Sequence, residues 1–197
     1  MATIFDSGLD SILEGTSRSF YLSLKELPGP IRRQVSLLYL LARTSDTIAD
    51  SELGSPDDRL KALREYDQFS RGLIDDAPNM SNLAKLQTNE SEGRLLENIE
   101  EVTSVISEFD KKDQESIKRC LGIIISGQIL DLERFTKLSE SMEALSDDSE
   151  LDDYAYRVAG SVGEFWTRMS LDHLFQVDED VEQQMFEKGV RFGKALQ

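Results

Sequence analysis

The chain holds one cysteine, Cys120, and one histidine, His173, so an internal disulfide and a thiolate or imidazole metal cluster are both excluded. Basic residues are in deficit. With 38 acids against 22 bases the formal charge is −16, which repels a phosphate backbone, so no nucleic-acid partner is expected. Long apolar runs are missing too. Runs such as Leu121 to Ile125, with Gly122 inside it, fall far short of the roughly 18 residues a spanning helix needs. Met1 to Asp10 has neither the basic start nor the hydrophobic stretch of a secretion signal. A cytoplasmic protein, at most peripheral to a membrane, is the expectation. Strand-like alternation, Asn-Gly and Asp-Gly hairpin signals and a fixed-period repeat are also absent.

What is present is helical periodicity almost throughout, and the expected fold is all-α, a single helical domain over residues 1–197. Four prolines and twelve glycines mostly punctuate it. Helices are predicted over Asp6 to Glu14 and from about Ser17, with Thr16 or Ser17 as a cap. After the turn Pro28-Gly29-Pro30, a long helix runs from Ile31 to about Ser51. Ser55-Pro56-Asp57-Asp58 opens the next, reaching about Leu73. Asp75 to Glu92 is a predicted loop with one helical turn at Leu83 to Leu86. Gly93 to Phe109 reads as a helix, Asp110 caps another through Cys120 to about Leu138, and Ser139 to Asp153 is a polar connector. Helices from Tyr154 to Phe175 and from Asp178 onward complete the pattern.

One segment carries chemistry. At about 100° per residue, Tyr39, Arg43, Asp46 and Asp50 form a single stripe. Leu37, Leu38, Leu40, Leu41, Ala42, Ile48 and Ala49 occupy the other directions, and a helix apolar on most sides is normally buried. Two inward carboxylates at a separation of about 6 Å repel by about 3 kcal/mol at an effective dielectric of about 20. Arg43 offsets part of this. An oxygen-lined site with excess negative charge suits a hard cation such as Mg2+, which bridges carboxylates to phosphate oxygens. A plain solvated polar face is the alternative, and spacing alone leaves both open.

The pattern Tyr39-x-x-x-Arg43-x-x-Asp46-x-x-x-Asp50 is similar to the first aspartate-rich motif of the squalene/phytoene synthase family. Ser17-Arg18-Ser19-Phe20 resembles that family's Ser-Arg-Ser-Phe signature. Tyr154-Ala155-Tyr156-Arg157-Val158-Ala159-Gly160-Ser161-Val162-Gly163 resembles its Tyr-x-x-x-Val-Ala-Gly-x-Val-Gly signature. Two departures stand out. Gln197 matches only the first residue of a second motif, Gln-x-x-Asn-x-x-x-Asp, so the chain reads as the N-terminal portion of such an enzyme, without its C-terminal helices and inactive by itself. Gly127-Gln128-Ile129-Leu130-Asp131-Leu132 is similar to a Gly-Met-x-x-Asp-Leu stretch of phytoene synthases, with Gln128 for the methionine, so Asp131 carries little weight.

The resemblance implies an isoprenoid-synthase-type helical bundle around a central cavity, coupling two prenyl diphosphates head to head through a cyclopropyl diphosphate. Squalene or phytoene is the implied product, with Mg2+ as cofactor and NADPH where the product is squalene. It implies that Asp46 and Asp50 hold Mg2+, that Arg18 and Arg43 fork onto phosphate oxygens, and that Ser17 and Ser19 add hydroxyls. Phe20, Tyr39, Tyr154 and Phe165 are its cation-stabilising aromatics. Tyr154, Val158, Val162 and Phe165 fall on one helical face and line the cavity, and Gly160 and Gly163 allow close helix contact or passage of an isoprenoid chain. Greasy substrates imply transient contact with a membrane surface. Oligomeric state is not encoded in any visible motif.

A non-catalytic binding or assembly protein on the same scaffold is the competing class, and intact Asp46, Asp50, Arg43 and Tyr154 weigh against it. A chain-elongating prenyltransferase is weaker, lacking the Asp-Asp-x-x-Asp cluster. Cys120 and Trp166 read as core, His173 as a surface residue, and the acids from Asp147 to Asp153 as a solvated connector rather than a calcium loop.

Overall fold

The computed structural model describes residues 4–51, 55–135, 145 and 147–197. Among them every regular element is helical. The first, α1 (Ser7–Ser17), starts where the Asp6 side chain accepts from the N–H groups of Gly8 and Leu9. Its Asp10 is buried and fixes two neighbouring pieces. Oδ1 accepts from the N–H of Ile4 at 2.8 Å and of Phe5 at 3.1 Å, and Oδ2 accepts from the Tyr21 hydroxyl at 2.6 Å. Replacing Asp10 by alanine orphans all three donors, so urea titration is expected to show a loss of about 3 kcal/mol. A loss below about 1 kcal/mol would mean that water reaches these groups.

Arg18 follows with φ 50°, a left-handed turn that a non-glycine residue seldom adopts, and separates α1 from α2 (Ser19–Glu26). The predicted caps are not made here. Thr16 donates to the Ile12 carbonyl and Ser17 to the Leu13 carbonyl, back into α1, while Arg18 stands at the cap position of α2 with no side-chain bond.

The centre of the fold is α3 (Gly29–Ala49), which packs against α8 (Lys111–Phe135) and also meets α4 (Pro56–Ser70). Leu37, Leu40, Leu41 and Ile48 of α3 face Ile117, Leu121 and Ile125 of α8 in one core in which each is at most 1% exposed. Ser55 caps α4 by accepting from Asp58 N–H, as its sequence requires. Tyr66 locks α4 to α3 by donating to the Leu41 carbonyl at 3.0 Å.

The polar stretch after α4 holds one short helix, α5 (Ser81–Lys85). The single helix expected over Gly93 to Phe109 is three pieces: α6 (Glu90–Glu97), α7 (Ile99–Ser104) and a 3-10 turn, Val105–Glu108. Asn98 makes the break, its backbone at φ −110° and its amide donating to the Arg94 carbonyl. Asp110 caps α8 as predicted, accepting from Asp113 N–H.

Residues 136–144 of the expected helix end and connector lie outside the described residues. The connector ends earlier than predicted, because Asp147 caps a helix, α9 (Asp148–Ala155), with bonds from Ser149 and Glu150 N–H. The chain then widens into a π-turn, Tyr156–Gly160, before α10 (Ser161–His173) and α11 (Glu179–Leu196).

Candidate active site

Packing of α3 on α8 leaves Asp46 and Asp50, the last two residues of the polar stripe, opposite Gln128 and Asp131 of α8. The α9 end and the π-turn supply a third wall with Tyr154 and Val158. The result is a cleft of about 540 Å3 lined by Asp46, Asp50, Gln128, Asp131, Tyr154 and Val158 over a floor of Ala49, Ile124 and Leu132. Asp46 is largely buried, and its Oδ1 accepts a hydrogen bond from Gln128 Nε2. Asp50, the last residue of the stripe, caps α3 and is exposed at the mouth. Tyr154 and Asp131 face each other across the cleft.

Burial pushes the Asp46 carboxyl up to about 6; the nearby Asp50 charge adds to this, while Arg43 and the Gln128 amide oppose it. Asp131 is also raised, first by burial, with Tyr154 and Arg134 pulling the other way. Burial and then the Asp131 charge raise Tyr154. Among the described residues no cluster of three or more His, Cys, Asp or Glu is close enough to enclose a metal ion. Two carboxylates on an open, negatively charged wall fit Mg2+, which keeps several waters and takes its other ligands from phosphate.

Arg43 is not the open fork the sequence implies. Its Nη2 lies 2.5 Å from Glu92 Oε1, and its Nε is buried without a partner. The pair lines a second cleft, of about 210 Å3, with Thr47, Asp50, Ser51 and Thr88. Glu92 escaped the sequence reading, although its position three residues after Asn89, which caps α6, matches the capping-box spacing and so marks a helix start.

The N-terminal signature is split. Ser17 is buried and turned to its own helix, whereas Arg18, Ser19 and Phe20 are exposed. Phe20 packs against Tyr39 with ring centroids 5.2 Å apart and the rings tilted by 42°, and the Tyr39 hydroxyl donates to the Thr16 carbonyl at 3.3 Å, which ties this segment to α3.

Val158 also borders an apolar cleft of about 800 Å3 between α10 and α11, with Val162, Trp166, Phe192, Leu196 and Gln197 on its walls. Phe165 lies elsewhere. It is 3% exposed and packed in the core beside Cys120 and Ser161, so the predicted common face with Tyr154 is broken. The π-turn explains this, since about 4.4 rather than 3.6 residues per turn rotate everything beyond Gly160 relative to a regular helix. His173 is likewise not a free surface residue: its Nε2 lies 2.8 Å from the buried Asp113.

The architecture is the all-α fold of isoprenoid synthases. A solved ligand complex of TcSQS, a squalene synthase, superposes with a TM-score of 0.70 at 20% identity, over 96% of this chain and 51% of that one. The Squalene/phytoene synthase profile matches residues 13–197, and the chain belongs to that family. It is 30% identical over 164 residues to the squalene synthase of Eremothecium gossypii, covering 80% of this chain and 34% of the relative. It is 29% identical over 194 residues to the bifunctional lycopene cyclase/phytoene synthase of Gibberella fujikuroi, covering 95% of this chain and 31% of the relative. The chain thus spans about a third of the length of these curated relatives. No described helix is long and apolar enough to cross a membrane.

Proposed function

We propose that these helices supply the first carboxylate pair and the apolar pocket of an enzyme that joins two prenyl diphosphates head to head. The observation that carries this reading is one of geometry. The cleft holding Asp46, Asp50 and Tyr154 meets the apolar cleft of α10 and α11 at Val158, so a diphosphate and its hydrocarbon tail have adjoining berths.

Asp46 and Asp50 would hold Mg2+, which would supply positive charge against the charge developing on a departing diphosphate. Arg18 and Ser19, exposed at the α1–α2 turn, offer donors to phosphate oxygens. Arg43, held by Glu92, keeps a fixed positive charge beside Asp46. Tyr154 faces Asp131 and keeps its hydroxyl proton available at the reacting end. Val158, Val162 and Trp166 exclude water from the allylic cation, and the aromatic faces of Phe20 and Tyr39 stabilise positive charge without attacking it.

The test is incubation of the complete gene product with farnesyl or geranylgeranyl diphosphate and Mg2+, with and without NADPH, followed by mass analysis of the hydrocarbon. A product of doubled chain length is expected. Its dependence on NADPH separates squalene from phytoene chemistry, and recovery of only unchanged substrate or its alcohol would reject the reading.

A further inference from the structure

Gln128 has no assigned task in the reading above, yet it makes the only described side-chain hydrogen bond to Asp46, across 82 residues of sequence. Its other amide atom, Oε1, is buried and has no hydrogen-bond partner, although the residue lines the cleft. A glutamine that only tied α8 to α3 has no reason to leave its carbonyl oxygen buried and unpaired, because an unpaired buried acceptor lowers stability. The arrangement has a purpose if a strong donor arrives. Water polarised by a divalent cation is such a donor, and neutral groups that orient a ligand and its bound water are what a cation site needs around its carboxylates.

We propose that Gln128 is a positioning residue of the cation site: its Nε2 occupies Oδ1 of Asp46 so that Oδ2 is left for the cation, and its Oε1 accepts from a cation-bound water. This inference rests on the cation role given above to Asp46 and Asp50. It assigns them a neutral partner on a different helix, chosen by side-chain length: a methionine there has neither donor nor acceptor of comparable strength.

The experiment measures Mn2+ binding by the loss of its free EPR signal, with inorganic pyrophosphate present, for the unaltered protein and for Gln128→Met and Gln128→Leu. Thermal midpoints are taken in metal-free buffer and again with Mn2+ and pyrophosphate. Both variants are expected to bind Mn2+ about tenfold more weakly, and to show a smaller rise in midpoint on adding the ligands. A purely structural role would instead lower the metal-free midpoint and leave affinity within about twofold, and that outcome overturns the inference. The near-isosteric Gln128→Met keeps the test alive if Gln128→Leu fails to fold. Asp46→Asn and Asp50→Asn serve as controls. If they lose Mn2+ while the Gln128 variants keep it, only this inference falls; if the unaltered protein binds no Mn2+, or the aspartate variants bind it normally, the cation role falls with it.

Discussion

Asp46→Asn is expected to do two opposite things: cut turnover of the complete gene product by about a thousandfold and make the folded chain more stable at neutral pH. The first follows from the proposed function, in which this charge holds the cation against the leaving group. The second follows from burial. The carboxyl sits at about 6 in the folded protein against 3.8 for the free side chain, so the fold disfavours its charged form. As pH rises from about 4 through 6, the unfolded chain gives up this proton before the folded chain does, and stability falls. The full penalty, about 3 kcal/mol as an upper estimate, is present above about pH 7 and absent below about pH 4.

Asparagine keeps the shape and can still accept from Gln128, so it removes the charge without opening a hole. Urea titrations of both forms at about pH 4 and pH 8 are the check: the curves should coincide at the lower pH and separate at the higher one, with asparagine the more stable. Mg2+ with pyrophosphate should narrow the gap at pH 8 by stabilising only the aspartate form. Equal stability at both pH values would mean that Asp46 carries no burial penalty, and turnover like that of the unaltered enzyme would mean that its charge is not needed. Such a trade of stability for chemistry is typical of functional carboxylates.

The inward turn of Asp46 was legible before any coordinates because it depends on local information alone. A 3.6-residue period places it, and the leucines on the remaining faces of α3 bury it. The start of α4 was legible for the same reason: Ser55, Pro56 and the two following acids act within one helical turn. Partners that arrive from distant sequence were not legible. Gln128 reaches Asp46 from 82 residues away and Glu92 reaches Arg43 from 49, and neither residue type announces an inward role.

The placement of Phe165 failed for a different reason. Tyr156 to Gly160 carries an ordinary helical pattern, and nothing in its composition reveals the wider turn that shifts the register. Ser17 shows a third limit, since a serine hydroxyl bonds forward as a cap or backward to a carbonyl with the same local chemistry, and only the turn at Arg18 decides.

The glycines of the Val-Ala-Gly-x-Val-Gly segment were open to two uses, close helix contact or room for an isoprenoid chain, and the packing of α10 on α11 shows the first. A Cβ at Gly163 would stand 2.0 Å from the carbonyl oxygen of Gly189, and one at Gly193 would stand 2.4 Å from that of Ala159. Both obstacles are backbone, so no side chain can swing aside. The helices would have to separate by more than an ångström. Gly163→Val is therefore expected to release α11 and lower unfolding stability by more than about 3 kcal/mol, beyond the usual cost of overpacking because two backbones must move. Hydrogen exchange gives the sharper reading: amides of Glu179–Leu196 should lose protection while those of α3 and α8 keep theirs, since the main core lies on those helices and not on α11. Because α11 carries Phe192 and Leu196 on one wall of the apolar cleft, its release would also remove the berth proposed for the hydrocarbon tail while sparing the carboxylates of α3. Retained protection of α11 in Gly163→Val would show that the two helices are not held by this backbone contact.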